Sequence, residues 1–278
     1  IIEFYILRRD DTEENLQKIA KLFSDMIDKI FPQWLITMKT SLLRPKLPVE
    51  AEEKLINIDK IIESGSQVLP HELVVEMINK NDYFAKLPCV CRSIGEYSDN
   101  PCKVASPELG CLAAGMVAKF LVQEGMGTEL TKDEAIDYLK RAEKAGLVHN
   151  GANSSGPVTY MLICNCCTCH CGFLRPQAKF GAPGTKRSNF SPKINNDLCN
   201  KCETCVKKCP MSALFHHYPF EPDESDDYIL FKENTCIGCG VCAANCPNNA
   251  IMMEKIRDDA VPEQLKLGDK SALEVLFG

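Results

Sequence analysis

Residues 199–210 read CNKCETCVKKCP and residues 236–247 read CIGCGVCAANCP. The two stretches share one pattern: Cys199-x2-Cys202-x2-Cys205-x3-Cys209-Pro210, and 37 residues on, Cys236-x2-Cys239-x2-Cys242-x3-Cys246-Pro247. The register continues past the cysteines, with Ala213 matching Ala250 and Leu214 matching Ile251, so the chain holds an internal repeat. Three thiols at intervals of three let a short loop wrap one iron–sulfur cube with its backbone N–H groups turned inward. The fourth thiol comes after a longer gap and just before a proline, where a helix can begin, and it reaches the other cube. The spacing assigns Cys199, Cys202, Cys205 and Cys246 to one [4Fe-4S] cluster, and Cys236, Cys239, Cys242 and Cys209 to a second. Structural zinc ordinarily takes two pairs of ligands per ion, which is not this rhythm.

With those residues in view, positions 190 to 256 resemble the bacterial-type dicluster ferredoxins, through both cysteine runs, the CIGCGVC of the second and both Cys-Pro pairs. The resemblance implies two βαβ-like halves about a pseudo-twofold axis and one-electron transfer at low potential. One departure lies between the runs, where HHYPFEPDESDD (216–227) is longer than a compact ferredoxin uses. Polar, acidic and proline-punctuated, it reads as a solvated loop, with a docking loop for a redox partner as the alternative. His216 and His217 have no ligand-like spacing and read as surface or packing residues.

Nine further cysteines precede the repeat: Cys89, Cys91, Cys102 and Cys111, then Cys164, Cys166, Cys167, Cys169 and Cys171 within CNCCTCHCG (164–172). The segment AKLPCVCR reads as extended chain entering a loop. PELGCLAAGMVAKFLVQEG (107–125) reads as a helix with Cys111 in its first turn, where the dipole favours a thiolate. Cys89, Cys91, Cys102 and Cys111 could then converge on one metal centre. Thr131 and Glu134 form a capping box opening a helix that Gly146 ends. A short strand at Leu147 and Val148, the turn HNGANSSGP and a second strand VTYMLIC complete a winged-helix outline. If that strand ran on, Cys164 and Cys166 would face away from Cys167, Cys169 and Cys171, so the backbone must turn near Cys166 and Cys167 for a cluster to collect them.

The preferred reading of the nine is one or two more clusters, up to four in the chain. Zinc at an upstream site, with His170 as a nitrogen ligand, is a rival. Pooling of both groups around one larger cluster and inert buried thiols are the others. PCVCR and CNCC also resemble elements of cysteine-rich domains that anaerobe redox proteins join to dicluster modules; no reaction is carried over from that likeness.

Seventeen cysteines are an odd number at i+2 and i+3 spacings, with no secretory leader pattern in view, which suits thiolate ligation in a reducing cytoplasm better than disulfides. No apolar run approaches the ~18 residues of a membrane span. Formal charge is −6; two clusters take it to about −10 and four to about −14, which disfavours nucleic acid as a partner. No phosphate loop, dinucleotide glycine pattern or hydrolase elbow is present. Lys201, Lys207 and Lys208 crowd the first run and could raise its potential or attract an acidic partner.

Toward the amino terminus, TEENLQKIAKLFSDMIDKI (12–30) puts Leu16, Ile19, Phe23, Met26, Ile27 and Ile30 on one helix face. A second helix is expected with Leu55, Ile58 and Ile62, and Trp34 is the place to look for a partner surface. The first residue is Ile, consistent with a trimmed start, and the terminal LEVLFG resembles a tag-linker remnant.

The expected organisation is an α+β chain: a helical region (1–64), a cysteine-rich domain (65–180), a dicluster ferredoxin domain (181–260) and a tail (261–278). The expected function is a cytoplasmic electron carrier, or electron-transfer subunit, between protein donor and acceptor in a larger complex. Two alternatives stay open: a reductase with a substrate-binding upstream cluster, and a redox-sensing winged-helix regulator.

Overall fold

The computed structural model describes residues 6, 11–39, 41–52, 54–55, 69–218, 227–267 and 270–271. Helix and strand are mixed through these residues. The middle of the chain is built on a six-stranded sheet whose strands, in chain order, are β1 (Leu43–Pro45), β2 (Phe84–Leu87), β3 (Cys111–Ala114), β4 (Thr128–Leu130), β5 (Val148–Ala152) and β6 (Leu162–Cys166). In space they run β1-β5-β6-β3-β2-β4, antiparallel at every pairing. The helices are α1 (Glu13–Lys29), α2 (Phe31–Met38), α3 (Val49–Glu52), α4 (Val75–Asn79), α5 (Val90–Tyr97), α6 (Gly115–Gln123), α7 (Lys132–Ala145) and α8 (Leu174–Phe180), followed by α9 (Thr204–Lys208) and α10 (Val241–Ala244) nearer the carboxyl end.

Helix α7 follows its sequence signals closely. The Glu134 N–H donates to Thr131 Oγ1 at 3.3 Å, the Thr131 N–H donates to Glu134 Oε2 at 2.8 Å, and Gly146 ends the helix at φ 90°. Its buried face, Ala135, Tyr138 and Leu139, packs with Phe84, Leu112 and Ile163 of the sheet, with Met77 and Ile78 of α4 and with Val74 at that helix's N-cap. Full burial of one such leucine is worth about 2 kcal/mol.

The segment around Cys111 departs from the helix expected there. Cys111–Ala114 is strand β3, paired on one side with Phe84–Leu87 and on the other with Leu162 and Ile163; the helix begins only at Gly115. Local helix propensity yields to the backbone partners that two distant segments supply. Conversely, the expected loop after Pro88 is helix α5, with Cys89 at its N-cap and Cys91 in its first turn. The second strand of the expected hairpin is also shorter, since Pro157–Tyr160 form a 3-10 turn and the strand starts at Leu162. Strands β5 and β6 are flanked by β1 and β3, so the hairpin lies inside the sheet.

Helix α1 buries Leu16, Ala20 and Ile27, with Ile19 and Phe23 half-buried against Ile94, Val90 and Tyr97 of α5. Ile30, expected on that face, is exposed because it falls on the break before α2. Trp34 is half-buried and stacks on Phe31 at 5.3 Å, which meets Phe173 edge-on at 5.4 Å.

Beyond the sheet, β7 (Phe190–Ile194) pairs with β10 (Ile251–Lys255), and β8 (Leu214–His217) pairs with β9 (Tyr228–Phe231). The units β7-α9-β8 and β9-α10-β10 are equivalent halves, each lending one strand to the other's partner. The repeat extends to backbone dihedrals. Lys201, Glu203 and Ser212 have φ of 59°, 59° and 50°; their counterparts Gly238, Gly240 and Asn249 have 69°, 73° and 52°. Both cysteine loops therefore turn through the left-handed region at matching places, with glycine used for two of them only in the second.

Residues 43–55 tie the two parts together. Arg44 pairs across to Gly151, while Leu47 and Ala51 sit in one apolar core with Phe190, Leu214, Ala243 and Met253. Lys54 Nζ donates to the Ala243 carbonyl at 2.7 Å. Ile58 and Ile62 of the second expected helix, the centre of the acidic loop (219–226) and the terminal LEVLFG lie outside the described residues. Among the described residues no helix is long and apolar enough to cross a membrane.

Candidate metal centres

The ferredoxin-type repeat gathers its cysteines in the crossed pattern its spacing predicts. One cavity is lined by Cys199, Cys202 and Cys205 of the first run with Cys246 of the second; another is lined by Cys236, Cys239 and Cys242 with Cys209. The loops present backbone donors to sulfur: Gly238 N–H to Cys236 at 3.3 Å, Ala213 N–H to Cys209 at 3.1 Å and Ala250 N–H to Cys246 at 3.3 Å. Such donors stabilise thiolate charge. Burial pushes the Cys205 thiol up to about 11 and Cys242 well above the usual range, so binding metal there means expelling protons. The donor set and its arrangement fit two iron–sulfur cubes.

Upstream, the sheet explains why thiols far apart in sequence meet. Cys89 follows the end of β2, Cys111 starts β3 opposite Leu87, and Cys164 and Cys166 close β6, opposite Asn150 and Val148. All four stand at one end of the sheet, and the turn through residues 168–170 brings the rest of the cysteine loop back over it. The nine divide differently from the expectation that Cys89, Cys91, Cys102 and Cys111 converge. Cys102 goes with the later segment: its Sγ is 3.7 Å from Cys167 Sγ and 3.0 Å from Cys169 Sγ, and with His170 these donors all lie within 4.8 Å of one another. The other six, Cys89, Cys91, Cys111, Cys164, Cys166 and Cys171, adjoin one another. Mutual hydrogen bonding among thiols, then burial, raises Cys164, Cys166 and Cys171 well above the ordinary range, through Cys111, Cys164 and Cys166 respectively.

A buried cation sits between these groups. Arg92 is fully buried and donates to the carbonyls of Ser106 at 3.2 Å, Asn165 at 2.8 Å and Leu109. Burial alone would lower its guanidinium, but the thiols of Cys89, Cys167 and Cys102 around it more than offset that and hold it above its usual value. Asn165, between Cys164 and Cys166, is locked by its own bonds: Nδ2 donates to the Gly110 carbonyl at 2.6 Å and Oδ1 meets His149 Nδ1 at 2.6 Å. His149 Nε2 reaches Glu143 at 3.1 Å, and Asn245, beside Cys246, donates to the Glu143 carbonyl at 2.8 Å. A polar spine thus joins the cysteine loop to the ferredoxin repeat.

Sequence reading missed Arg92 and Gly95, although Arg92 directly follows Cys91. Gly95 lies against the His170 ring: a methyl added there would stand 2.5 Å from Nε2 and 2.8 Å from the Asn100 carbonyl. The three lysines of the first run are engaged, Lys201 with Asp227 at 3.1 Å, Lys207 with Glu203 at 3.5 Å and Lys208 with the Lys144 carbonyl. His216 is held between Glu203 at 2.8 Å and Asp227 at 2.7 Å, and these two carboxylates, Glu203 first, raise it above its ordinary value.

The repeat, its crossed cavities and its sulfur-directed N–H groups define an iron–sulfur protein of the dicluster type. A model of the 4Fe-4S dicluster domain matches residues 191–247. Through this C-terminal part the chain belongs to the dicluster ferredoxin family. It is 32% identical over 80 residues to pyruvate synthase subunit PorD of Methanothermobacter marburgensis, covering 26% of this chain and 85% of that subunit. It is 37% identical over 71 residues to ferredoxin-3 of Nostoc sp., covering 22% of this chain and 73% of that protein. An uncharacterized ferredoxin of Methanocaldococcus jannaschii is 41% identical over 59 residues, which span 20% of this chain and 31% of that relative's length.

Proposed function

We propose that the protein relays single electrons along a line of thiolate-held centres and works as the electron-transfer member of an oxidoreductase assembly. The line starts at Cys199, Cys202, Cys205 and Cys246, continues through Cys209, Cys236, Cys239 and Cys242, and ends at the six thiols Cys89, Cys91, Cys111, Cys164, Cys166 and Cys171. A [4Fe-4S] cluster held by such residues takes up and gives back one electron at a time.

The observation carrying this reading is packing continuity. Cys239 and Val241 share one apolar cluster with Cys166 and Cys171, and Cys205 shares another with Cys242. Successive ligand sets thus meet through shared apolar packing. Cys202 alone among the seventeen cysteines is exposed, so the first set marks the end open to a protein partner. The likeness to PorD, a subunit of pyruvate synthase, supports the placement in an assembly.

Iron and acid-labile sulfide counts on anaerobically purified protein, with EPR of the fully reduced state, test the line. About 12 iron atoms per chain is the expected result, with spin coupling that spreads beyond one pair of clusters. A count of about 8 removes the upstream end, and uncoupled signals break the continuity.

A further inference from the structure

We propose that Cys102, Cys167, Cys169 and His170 form a four-coordinate zinc site, separate from every iron–sulfur centre of the chain. The inference is independent of whether electrons travel to the upstream thiols.

Spacing is the first argument. Four ligands on one zinc stand at the corners of a tetrahedron, and with Zn–S bonds of about 2.3 Å the sulfurs lie about 3.8 Å apart. Cys102 is 3.7 Å from Cys167 and, closer than a zinc-bound pair would stand, 3.0 Å from Cys169, and all four donors fall within 4.8 Å of one another. Ligands to a cube bind four different irons and stand a cluster's width further apart. The molecule supplies its own control. Among the described residues no other group of three or more His, Cys, Asp or Glu donors is gathered that closely, and this holds for both ferredoxin quartets and for the six remaining upstream thiols.

The second argument is His170. It is 8% exposed, and its ring nitrogens make no hydrogen bond of ordinary geometry, with only the thiols of Cys102 and Cys167 near enough to interact. A buried imidazole left so costs about 1–3 kcal/mol, and a metal bond to one nitrogen answers it. The helix beside it leaves room by carrying glycine at position 95, where any side chain would meet the ring.

Charge is the third. Zinc with three thiolates and a neutral imidazole carries −1, and the buried Arg92, influenced by Cys89 and by Cys167 and Cys102 of this group, supplies a countercharge. Three thiolates and one histidine form a closed set with no open position, the pattern of a structural ion. Here the ion would clip the loop holding Cys102 to the turn holding Cys167, Cys169 and His170. That turn leads directly into Cys171, so the clip sets the backbone from which the neighbouring six-thiol centre is built.

The test uses the full chain purified without oxygen. Elemental analysis should give about one zinc per chain, and zinc-edge X-ray absorption should show about three sulfurs near 2.3 Å and one nitrogen near 2.0 Å. Cys169→Ser should lose the zinc while the reduced-state signals of the two ferredoxin clusters persist. Zinc-free wild-type protein overturns the proposal, as does a Cys169→Ser variant that keeps its zinc or loses iron and sulfide in its place. Because the absorption measurement needs no substitution, it decides the matter even if the variant fails to fold. A zinc-bearing protein with only about 8 iron atoms would keep this site and discard the relay.

Discussion

Replacing Arg92 with methionine should destabilise the protein by about 4 kcal/mol and empty the upstream thiol sites while the ferredoxin repeat keeps its iron. The magnitude follows from three bonds. The guanidinium donates to the carbonyls of Ser106 and Leu109 in the loop before β3 and of Asn165 in β6, so it ties its own helix to two other segments. Charge-assisted bonds are worth about 1.5–3 kcal/mol each, but bonds shared by one head group do not add. Removing one member of a buried charged network costs about 3–5 kcal/mol. Methionine fills most of the volume, so the cavity contribution stays small. At about 2–4 °C per kcal/mol for a chain of this size, the melting point should fall by about 8–16 °C. Arg92→Lys keeps the charge without the planar fork and should lie between the two. Anaerobic thermal scans followed by near-ultraviolet circular dichroism, with iron and zinc counts before heating, read both effects. A melting point within about 2 °C of wild type, with upstream metal intact, would show that Arg92 does not organise these thiols.

Gly240→Ala combines a left-handed backbone at φ 73° with a methyl 2.7 Å from Pro48 Cδ, and should cost about 2–4 kcal/mol, read as earlier bleaching on heating. An unchanged bleaching temperature would mean that residues 47–51 do not press on this loop. Gly95→Ala should push the His170 ring aside and weaken zinc retention against a chelator by about 10- to 100-fold, with no change in the ferredoxin signals. Burial pushes Glu52 up to about 8 from 4.5, and its carboxyl accepts from the Val75 N–H at 3.3 Å. Its folded form favours the proton, so its contribution to stability is complete below pH 4.5 and is lost as pH rises through about 8. Glu52→Gln should therefore stabilise relative to wild type above that pH; equal melting points at pH 6 and pH 9 would contradict this.

The ferredoxin repeat was legible because its ligands are close in sequence. Spacings of three and four residues fix which sulfurs a short loop can turn inward, and the exchange of Cys209 and Cys246 follows from the fourth position of each run. Helix α7 was legible for the same local reason, with its capping box and terminal Gly146 both within hydrogen-bond reach of the helix they bound. What misled was locality itself. Cys111 sits in a run that favours helix when read alone, yet strand pairing with Leu87 placed it in the sheet. Grouping Cys102 with Cys89 and Cys91 assumed that neighbours in sequence share a metal.

The linear chain was enough to group eight thiols into two crossed quartets around two cavities, because that pattern is a property of short loops. The division of the other nine thiols came from the antiparallel order β6-β3-β2, which sets Cys164, Cys111 and Cys89 at one end of a sheet although 75 residues separate the first from the last. No spacing rule encodes that meeting, since it depends on which strands find each other. The fit of His170 against Gly95 and the reach of Arg92 to the 106–109 loop and to β6 are likewise products of packing.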